Sequence, residues 1–81
     1  MYYVYILTSQ KDPEKIYIGL TTDLNNRLEE HNSFQSSYSK RCAPWQLNTY
    51  MAFTSKPAAV KFETYLKSGS GFAFLKKRLL G

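Results

Sequence analysis

Two runs of β-branched and aromatic residues near the start constrain the fold more than any other feature. Residues 2–8, YYVYILT, and residues 15–20, KIYIGL, are both of this kind, and the polar segment SQKDPE separates them. Such runs favour strands, and two of them around a short turn predict a β-hairpin. The chain has 81 residues, so one small core is all it can build, and we expect a single domain over residues 1–81.

The alternation of side chains along a strand assigns the tyrosines of this hairpin to faces. Tyr3, Tyr5 and Leu7 share one face of the first strand. By the same rule, Tyr17 and Gly19 share one face of the second strand. Alternation alone does not establish whether these two faces coincide.

A helix follows the hairpin, over the segment LNNRLEEHN. Thr22 or Asp23 can cap it, because each offers an oxygen to the free amides of the first turn, and it runs to about Asn32. Positions i, i+3, i+4 and i+7 form its stripe: Leu24, Arg27, Leu28 and His31. A cation and an imidazole therefore share the face that carries the leucines.

The later part of the chain predicts a third strand and a second helix. Residues 46–54, QLNTYMAFT, alternate as a strand does, and Ser55 with Pro57 marks a helix start before AAVKFETYLK. The stripe of this helix is again mixed: Ala59, Phe62, Glu63 and Leu66. Because an unpaired buried carboxylate is costly, Glu63 should have a partner such as a metal, an arginine or water.

A break at Gly69-Ser70-Gly71 is expected to precede a third helix, FAFLKKRLL. Its apolar stripe is Phe72, Leu75 and Leu79, so Lys77 and Arg78 should point away from the core. The fold class is therefore α/β of the α+β kind, a small three-stranded, mostly antiparallel sheet flanked by about three helices.

Residues 33–45, SFQSSYSKRCAPW, are rich in serine and predict a long loop. Tyr38 and Trp45 flank a basic step in this loop and are candidates to stack on nucleobases, but Trp45 also suits the core at the start of a strand. Cys42, beside Arg41, is a weak candidate for a thiolate nucleophile, since no third group orients it.

Charge is unevenly distributed along the chain. Residues 1–30 hold three Lys or Arg against five Asp or Glu, while residues 31–81 hold eight against one. A basic surface favours a polyanionic partner through phosphate neutralisation, although solvated surface charge is the ordinary alternative. The candidate DNA-phosphate contacts are the basic side chains Lys40, Arg41, Lys67, Lys76, Lys77 and Arg78.

Several classes of protein are disfavoured. The lone Cys42 cannot form an internal disulfide, and one Cys with one His falls short of a structural zinc site. No stretch approaches the ~18 apolar residues of a membrane-spanning helix, and the first residues lack a basic leader and cleavage site. We therefore expect a cytoplasmic protein with no membrane partner.

The order of the motifs resembles that of the GIY-YIG nuclease family. The segments YVYIL and YIGLTTDLNNRLEEHN contain a tyrosine-bearing strand, then Tyr17-Ile18-Gly19, then a helix with Arg27 and His31 four residues apart. The later helix with Glu63 and the tail YLKSGSG…FLKKR resemble the small single-domain bacterial members. The likeness covers nearly the whole chain.

One position departs from the family pattern. The first motif here is Tyr3-Val4-Tyr5, so the glycine of the family motif is replaced by Tyr3, whereas the second tyrosine survives as Tyr5. This variant is typical of the small members of the family.

The resemblance implies a metal-dependent endonuclease that hydrolyses phosphodiester bonds of DNA. The candidate forms of the DNA are branched, nicked and single-stranded. The resemblance also implies that Glu63 holds one divalent cation, Mg²⁺ or Mn²⁺, which stabilises the leaving 3′ oxygen. Arg27 would clamp the phosphate, and Tyr5 or Tyr17 would act as general base or relay if nearby cations lower the phenol pKa from ~10. His31 would accept the proton or orient the tyrosine. All five side chains should converge on one concave site.

Each of these residues also has a structural alternative. The tyrosines suit strand packing, Arg27 can extend to solvent, His31 can cap the last turn of its helix, and Glu63 can pair with a lysine. Two competing functions follow. One is a catalytically weak nucleic-acid-binding module on the same fold, and the other is a protein-interaction domain in which the aromatic strands serve only as core.

Overall fold

The computed structural model describes residues 1–33 and 43–80. Within these ranges the strands β1 (Tyr2–Ser9), β2 (Ile16–Thr21) and β3 (Trp45–Phe53) form one sheet. Both pairings are antiparallel, and the spatial order is β2-β1-β3. The predicted hairpin and third strand are confirmed, and each strand differs from its prediction by one residue at one or both ends.

The central strand β1 is buried on both sides, which explains why its middle carries an unbroken apolar run rather than an alternating one. One core centres on Val4, Ile6 and residues of the later helices: Ala59, Leu66 and Leu75. The other core lies on the opposite face and contains Tyr5, Leu7 and Trp45, with Tyr17 and leucines of the first helix packed against it. Helices therefore cover both faces of the sheet.

The strand register answers the question that alternation left open. Tyr5 lies opposite Gly19, and Leu7 lies opposite Tyr17. Residues opposite each other on paired strands point to the same face, so the tyrosine-bearing faces of β1 and β2 coincide. On the other side of β1, Tyr5 is paired with Tyr50 of β3.

The first two helices begin at the predicted caps. Helix α1 (Leu24–Asn32) is capped by Asp23, whose carboxylate accepts from the amide of Asn26 at 3.1 Å. Helix α2 (Lys56–Leu66) is capped by Ser55, and Pro57 lies in its first turn, where a missing amide hydrogen costs nothing.

The third helix differs from its prediction. Helix α3 (Gly69–Phe74) begins at Gly69, so the three residues predicted as a break form its first turn, with Ser68 as the cap. A Cβ on Gly71 would overlap the Tyr65 carbonyl, so glycine there permits close packing against the end of α2. Phe72 is 37% exposed rather than part of an apolar stripe.

The chain continues from α3 into a π-helix, Leu75–Leu80. Leu75 is buried and Leu79 is partly buried, whereas Lys77 and Arg78 are exposed, as predicted. The predicted fold class, a three-stranded antiparallel sheet flanked by three α-helices, is confirmed for the described residues. None of the helices described here has the length and apolar character that spanning a membrane requires.

Candidate active site

Three of the predicted site residues contact one another on the α1 side of the sheet. The hydroxyl of Tyr5 lies 3.2 Å from Nε2 of His31, within hydrogen-bonding distance. The Tyr17 ring packs edge-on against the His31 ring, with centroids 4.4 Å apart, and stacks with Tyr5 at 6.2 Å. Tyr5 and His31 are 3% and 7% exposed and Tyr17 is partly buried, so the Tyr5–His31 contact of this aromatic triad is largely screened from water.

Each member of the triad is placed by its own element. Tyr5 is held in the middle of the central strand, and Tyr17 comes from the strand paired with it. His31 lies in the last turn of α1, two turns beyond Leu24 on the same helical face, and it is the one buried residue of that helix. The mixed stripe of α1 therefore packs against the tyrosine-bearing face of the sheet.

Trp45 completes this environment, and its burial confirms the interpretation that it belongs to the core at the start of a strand. Its ring centroid lies 6.3 Å from that of Tyr17 and 6.4 Å from that of His31. The Asn32 side chain fixes it by accepting from the Trp45 amide at 2.6 Å and donating to the Trp45 carbonyl at 3.1 Å. Trp45 is 3% exposed, so it belongs to the core rather than to a base-stacking surface.

Burial sets the protonation of the Tyr5–His31 pair. The pKa of Tyr5 is raised above its ordinary value, chiefly by burial and then by the nearby Tyr17, and the opposing effect of Arg27 does not cancel this. The Arg27 guanidinium therefore does not by itself bring the pKa of Tyr5 below its ordinary value. The pKa of His31 is lowered, first by burial and then by the Arg27 guanidinium. At neutral pH the pair is a protonated phenol beside a neutral imidazole.

Arg27 lies beside the triad and remains accessible. Its side chain is 43% exposed and forms an ion pair with Glu30 at 3.3 Å. Arg27 lies one turn before His31 on the same face of α1. Its charge lowers the pKa of His31, after burial, and opposes the burial that raises the pKa of Tyr5. A guanidinium has five N–H donors, so the contact with Glu30 leaves donors for a phosphate.

Glu63 lies on α2, which packs on the face of the sheet opposite the triad. Its carboxylate lies 3.3 Å from Nζ of Lys67, and its side chain is 20% exposed. The lysine pairing left open by the sequence is therefore present. After burial and Tyr17, the charge of Glu63 is a smaller cause of the raised pKa of Tyr5.

A metal bound near Glu63 would have few protein ligands. Within residues 1–33 and 43–80, no three side chains of His, Cys, Asp or Glu are grouped to hold an ion. A single carboxylate suits Mg²⁺, which keeps several waters and shares its remaining positions with substrate phosphates. The donor set fits a cation bound jointly by protein and substrate, not one held by the protein alone.

The basic residues predicted to bind DNA are only partly described. Lys67, Lys76, Lys77 and Arg78 are exposed, whereas Lys40 and Arg41 lie outside the described residues, as do Tyr38 and Cys42. Nζ of Lys76 lies 5.8 Å from the centroid of the Phe72 ring. The π-helix packs through Leu75 on the face of the sheet opposite Tyr5. The basic side chains of the π-helix therefore lie on the side of the sheet opposite the triad.

Comparisons with known proteins identify relatives of this chain. The structure-specific endonuclease subunit slx1 of Talaromyces marneffei is 41% identical over 68 residues, which cover 76% of this chain and 18% of that protein. A UPF0213 protein of Haloquadratum walsbyi is 35% identical over 68 residues, covering 83% of this chain and 74% of that protein. The chain thus spans less than a fifth of the fungal protein but most of the archaeal one.

The fold also matches a solved structure. The solution NMR structure of a UPF0213 protein from Bacillus halodurans superposes with a TM-score of 0.56 and 32% identity, covering 95% of this chain and 84% of that one. The family model of the GIY-YIG catalytic domain matches residues 1–77. The resemblance inferred from the motifs is thereby confirmed, and this chain belongs to the GIY-YIG family.

Proposed function

We propose that this protein is a metal-dependent endonuclease that hydrolyses phosphodiester bonds of DNA. The observation that carries the proposal is the hydrogen bond between Tyr5 and His31, in a buried site formed by the motif residues of a GIY-YIG catalytic domain. The name of the fungal relative, a structure-specific endonuclease subunit, supports the same class of reaction.

The proposed proton path begins at Tyr5. A phenol with a raised pKa is a poor base because it holds its proton, but it can pass one on. In the proposed step the Tyr5 hydroxyl donates its proton to Nε2 of His31 as it accepts a proton from the attacking water. The resulting hydroxide forms the new bond to phosphorus, and His31 becomes an imidazolium. The bond to the leaving 3′ oxygen breaks with its electron pair, and that oxygen takes a proton from solvent.

The lowered pKa of His31 suits this role. A neutral imidazole is present at pH 7 to accept the proton, and the cation formed afterwards releases it readily to solvent. Tyr17 packs against both rings and restricts their orientation. We assign Tyr5 as the relay, His31 as the base and Tyr17 as the residue that positions them.

Arg27 is proposed to bind the scissile phosphate. Its forked donors match two phosphate oxygens, and its partly exposed side chain lies next to the relay. Negative charge increases on these oxygens during attack, so a preorganised guanidinium stabilises the transition state more than the ground state.

Glu63 is proposed to hold the divalent cation, Mg²⁺ or Mn²⁺. The bound ion would supply Lewis-acid stabilisation of charge on the phosphate and on the leaving oxygen. The protein's part is to present one largely buried carboxylate, whose alternative partner is the Lys67 ammonium. A metal ion that binds this carboxylate would displace the Lys67 ammonium, so cation binding would change the position of Lys67.

A cleavage assay tests the proposal. The parent protein is incubated with plain duplex, nicked, flapped, branched and single-stranded DNA, in Mg²⁺, in Mn²⁺ and in excess chelator. Cation-dependent strand breaks in at least one substrate support the endonuclease. Salt-dependent DNA binding without any cleavage would instead support a nucleic-acid-binding module. The absence of both binding and cleavage would favour a protein-interaction domain.

A further inference from the structure

A second surface on the triad's side of the sheet has no part in the proposed chemistry. It is an open groove of about 390 Å³ where the start of α1 meets the sheet. Tyr3 and Tyr50 form its aromatic wall, and polar residues that precede or begin α1 form the other wall: Thr22, Asp23 and Asn25. Its volume lies in the range of about 300–1,000 Å³ that is typical of small-molecule sites.

Tyr50 is the unusual member of this groove. It occupies a strand position on the tyrosine-bearing face, yet it is 51% exposed. Its ring meets the Tyr3 ring edge-on, with centroids 5.9 Å apart and planes at 69°. The contact with Tyr3 restrains the Tyr50 ring while half of its surface stays open to solvent. A restrained, exposed aromatic ring of this kind suits stacking with another flat ring.

The groove and the Tyr5 hydroxyl lie on the same face of the sheet, on either side of β1. Tyr50 lies on β3, directly opposite Tyr5 in the strand register, whereas the Tyr5 hydroxyl reaches over Gly19 of β2. Neighbouring strands are about 4.7–4.9 Å apart, so β2 and β3 are separated by roughly 10 Å. Successive nucleotides of one DNA strand are spaced by about 3.4 Å, so a base bound at Tyr50 would lie about three nucleotides from a phosphate bound beside the Tyr5 hydroxyl.

The charge in the groove decides which part of a nucleotide it accepts. Among the described residues its lining includes the acidic Asp23 and no Lys or Arg, so the groove offers a phosphate no cation, which a neutral base does not need. Asn25 offers an amide that both donates and accepts, the combination that pairs with a base edge. Aromatic stacking together with amide and carboxylate groups is a base-binding chemistry.

We propose that the groove at Tyr3 and Tyr50 binds an unpaired nucleobase a few nucleotides from the cleaved phosphate. A base inside an intact duplex is stacked on both sides and cannot enter, so the substrate class is DNA with at least one unpaired base near the scissile bond. This inference rests on the proposed endonuclease function and specifies its substrate.

The test compares three variants of exposed tyrosines. Tyr50→Leu keeps a bulky strand residue but removes the ring, and Tyr50→Phe keeps the ring. Tyr65→Leu is the matched control, since Tyr65 is 43% exposed on α2, which packs on the other face of the sheet. The DNA carries 2-aminopurine as the unpaired base of a flap, and a fully paired duplex of the same sequence is measured in parallel.

Two readouts are taken, base fluorescence on binding in chelator and single-turnover cleavage in Mg²⁺. We expect the parent and the Tyr50→Phe and Tyr65→Leu variants to quench the flap base equally. Tyr50→Leu should lose the quench and bind the flap about 5- to 150-fold more weakly, with no change on the duplex. If Tyr50→Leu matches Tyr65→Leu in both readouts while the parent cleaves, the base site is wrong and the endonuclease stands. If the parent cleaves no substrate, the proposed function fails and this inference fails with it.

Discussion

Tyr5 lies across Gly19 on the neighbouring strand, and its ring and hydroxyl fill the space that a side chain at position 19 would need. A Cβ there would come within 2.8 Å of Cε1 of Tyr5, closer than ordinary packing permits. The glycine of the second motif therefore makes room for the tyrosine of the first, and that tyrosine then reaches His31.

Replacing this glycine should disturb both stability and catalysis. Gly19→Ala forces the buried Tyr5 ring to move, which should lower the free energy of unfolding by about 1–3 kcal/mol. It should also slow cleavage, because the hydroxyl shifts away from His31. Gly69→Ala is the control, since open space surrounds that position at the start of α3. Urea denaturation and single-turnover cleavage measure both effects, and equal behaviour of the two variants would contradict the packing argument.

The pH dependence of cleavage should report the lowered pKa of His31. A protonated imidazole cannot accept the proton from Tyr5, so activity is lost as pH falls through the folded pKa, which lies below the ordinary ~6.5. Between that pKa and ~6.5 the unfolded chain binds more protons at this residue, so its contribution to stability also decreases as pH falls. Profiles of kcat/KM, with NMR titration of the single histidine, check this. An acid limb centred at or above ~6.5 would refute it.

The ion pair on α2 offers two opposite tests. Glu63→Gln removes the anion that a cation needs, so cleavage should fall sharply while DNA affinity persists or rises. Lys67→Gln frees the carboxylate, so half-maximal cleavage should need less Mg²⁺. Glu29→Gln, at an exposed position on α1, is the control for a lost surface carboxylate. A Mg²⁺ titration of single-turnover cleavage measures all three, and parent-like titrations for both α2 variants would remove the metal role from Glu63.

Salt dependence tests whether the basic later half contacts phosphates. The double variant Lys77→Gln and Arg78→Gln removes two exposed cations of the π-helix. On duplex DNA the slope of log affinity against log salt should weaken by ~0.9 for each true contact. Lys11→Gln with Lys15→Gln removes the same charge from the acidic first part and should leave the slope unchanged. Equal slopes for both double variants would mean that the π-helix cations are solvated surface.

Local patterns predicted the elements better than the contacts between them. The strand runs and the caps Asp23 and Ser55 are local signals, and each was found within about one residue. The face shared by Tyr5 and Tyr17 depended on register, which pairing between strands decides. The protonation state of Tyr5 could not be predicted from the sequence either. The sequence shows the cation Arg27, which lowers the pKa of Tyr5, but it does not show the burial that raises this pKa by more.

The start of α3 shows how a turn-like composition can mislead. Two glycines around Ser70 favoured a break, yet Ser68 supplies a cap and the second glycine packs where a side chain would overlap the preceding helix. The core position of Trp45 was predicted, but its two backbone hydrogen bonds with Asn32, thirteen residues earlier in the chain, were not. Both features depend on close contacts between elements, which alternation and propensity do not encode.

The most direct test of the proposed relay is single-turnover DNA cleavage by Tyr5→Phe at saturating Mg²⁺. The substitution keeps the buried ring and removes only the hydroxyl that bonds His31. Tyr2→Phe is the control on the same strand, since Tyr2 packs in the core on the opposite face. We predict that Tyr5→Phe binds DNA and folds like the parent but cleaves roughly 10²- to 10⁴-fold more slowly, the usual contribution of a positioned acid–base group, while Tyr2→Phe cleaves normally. Cleavage by folded Tyr5→Phe at the parent rate would contradict the account.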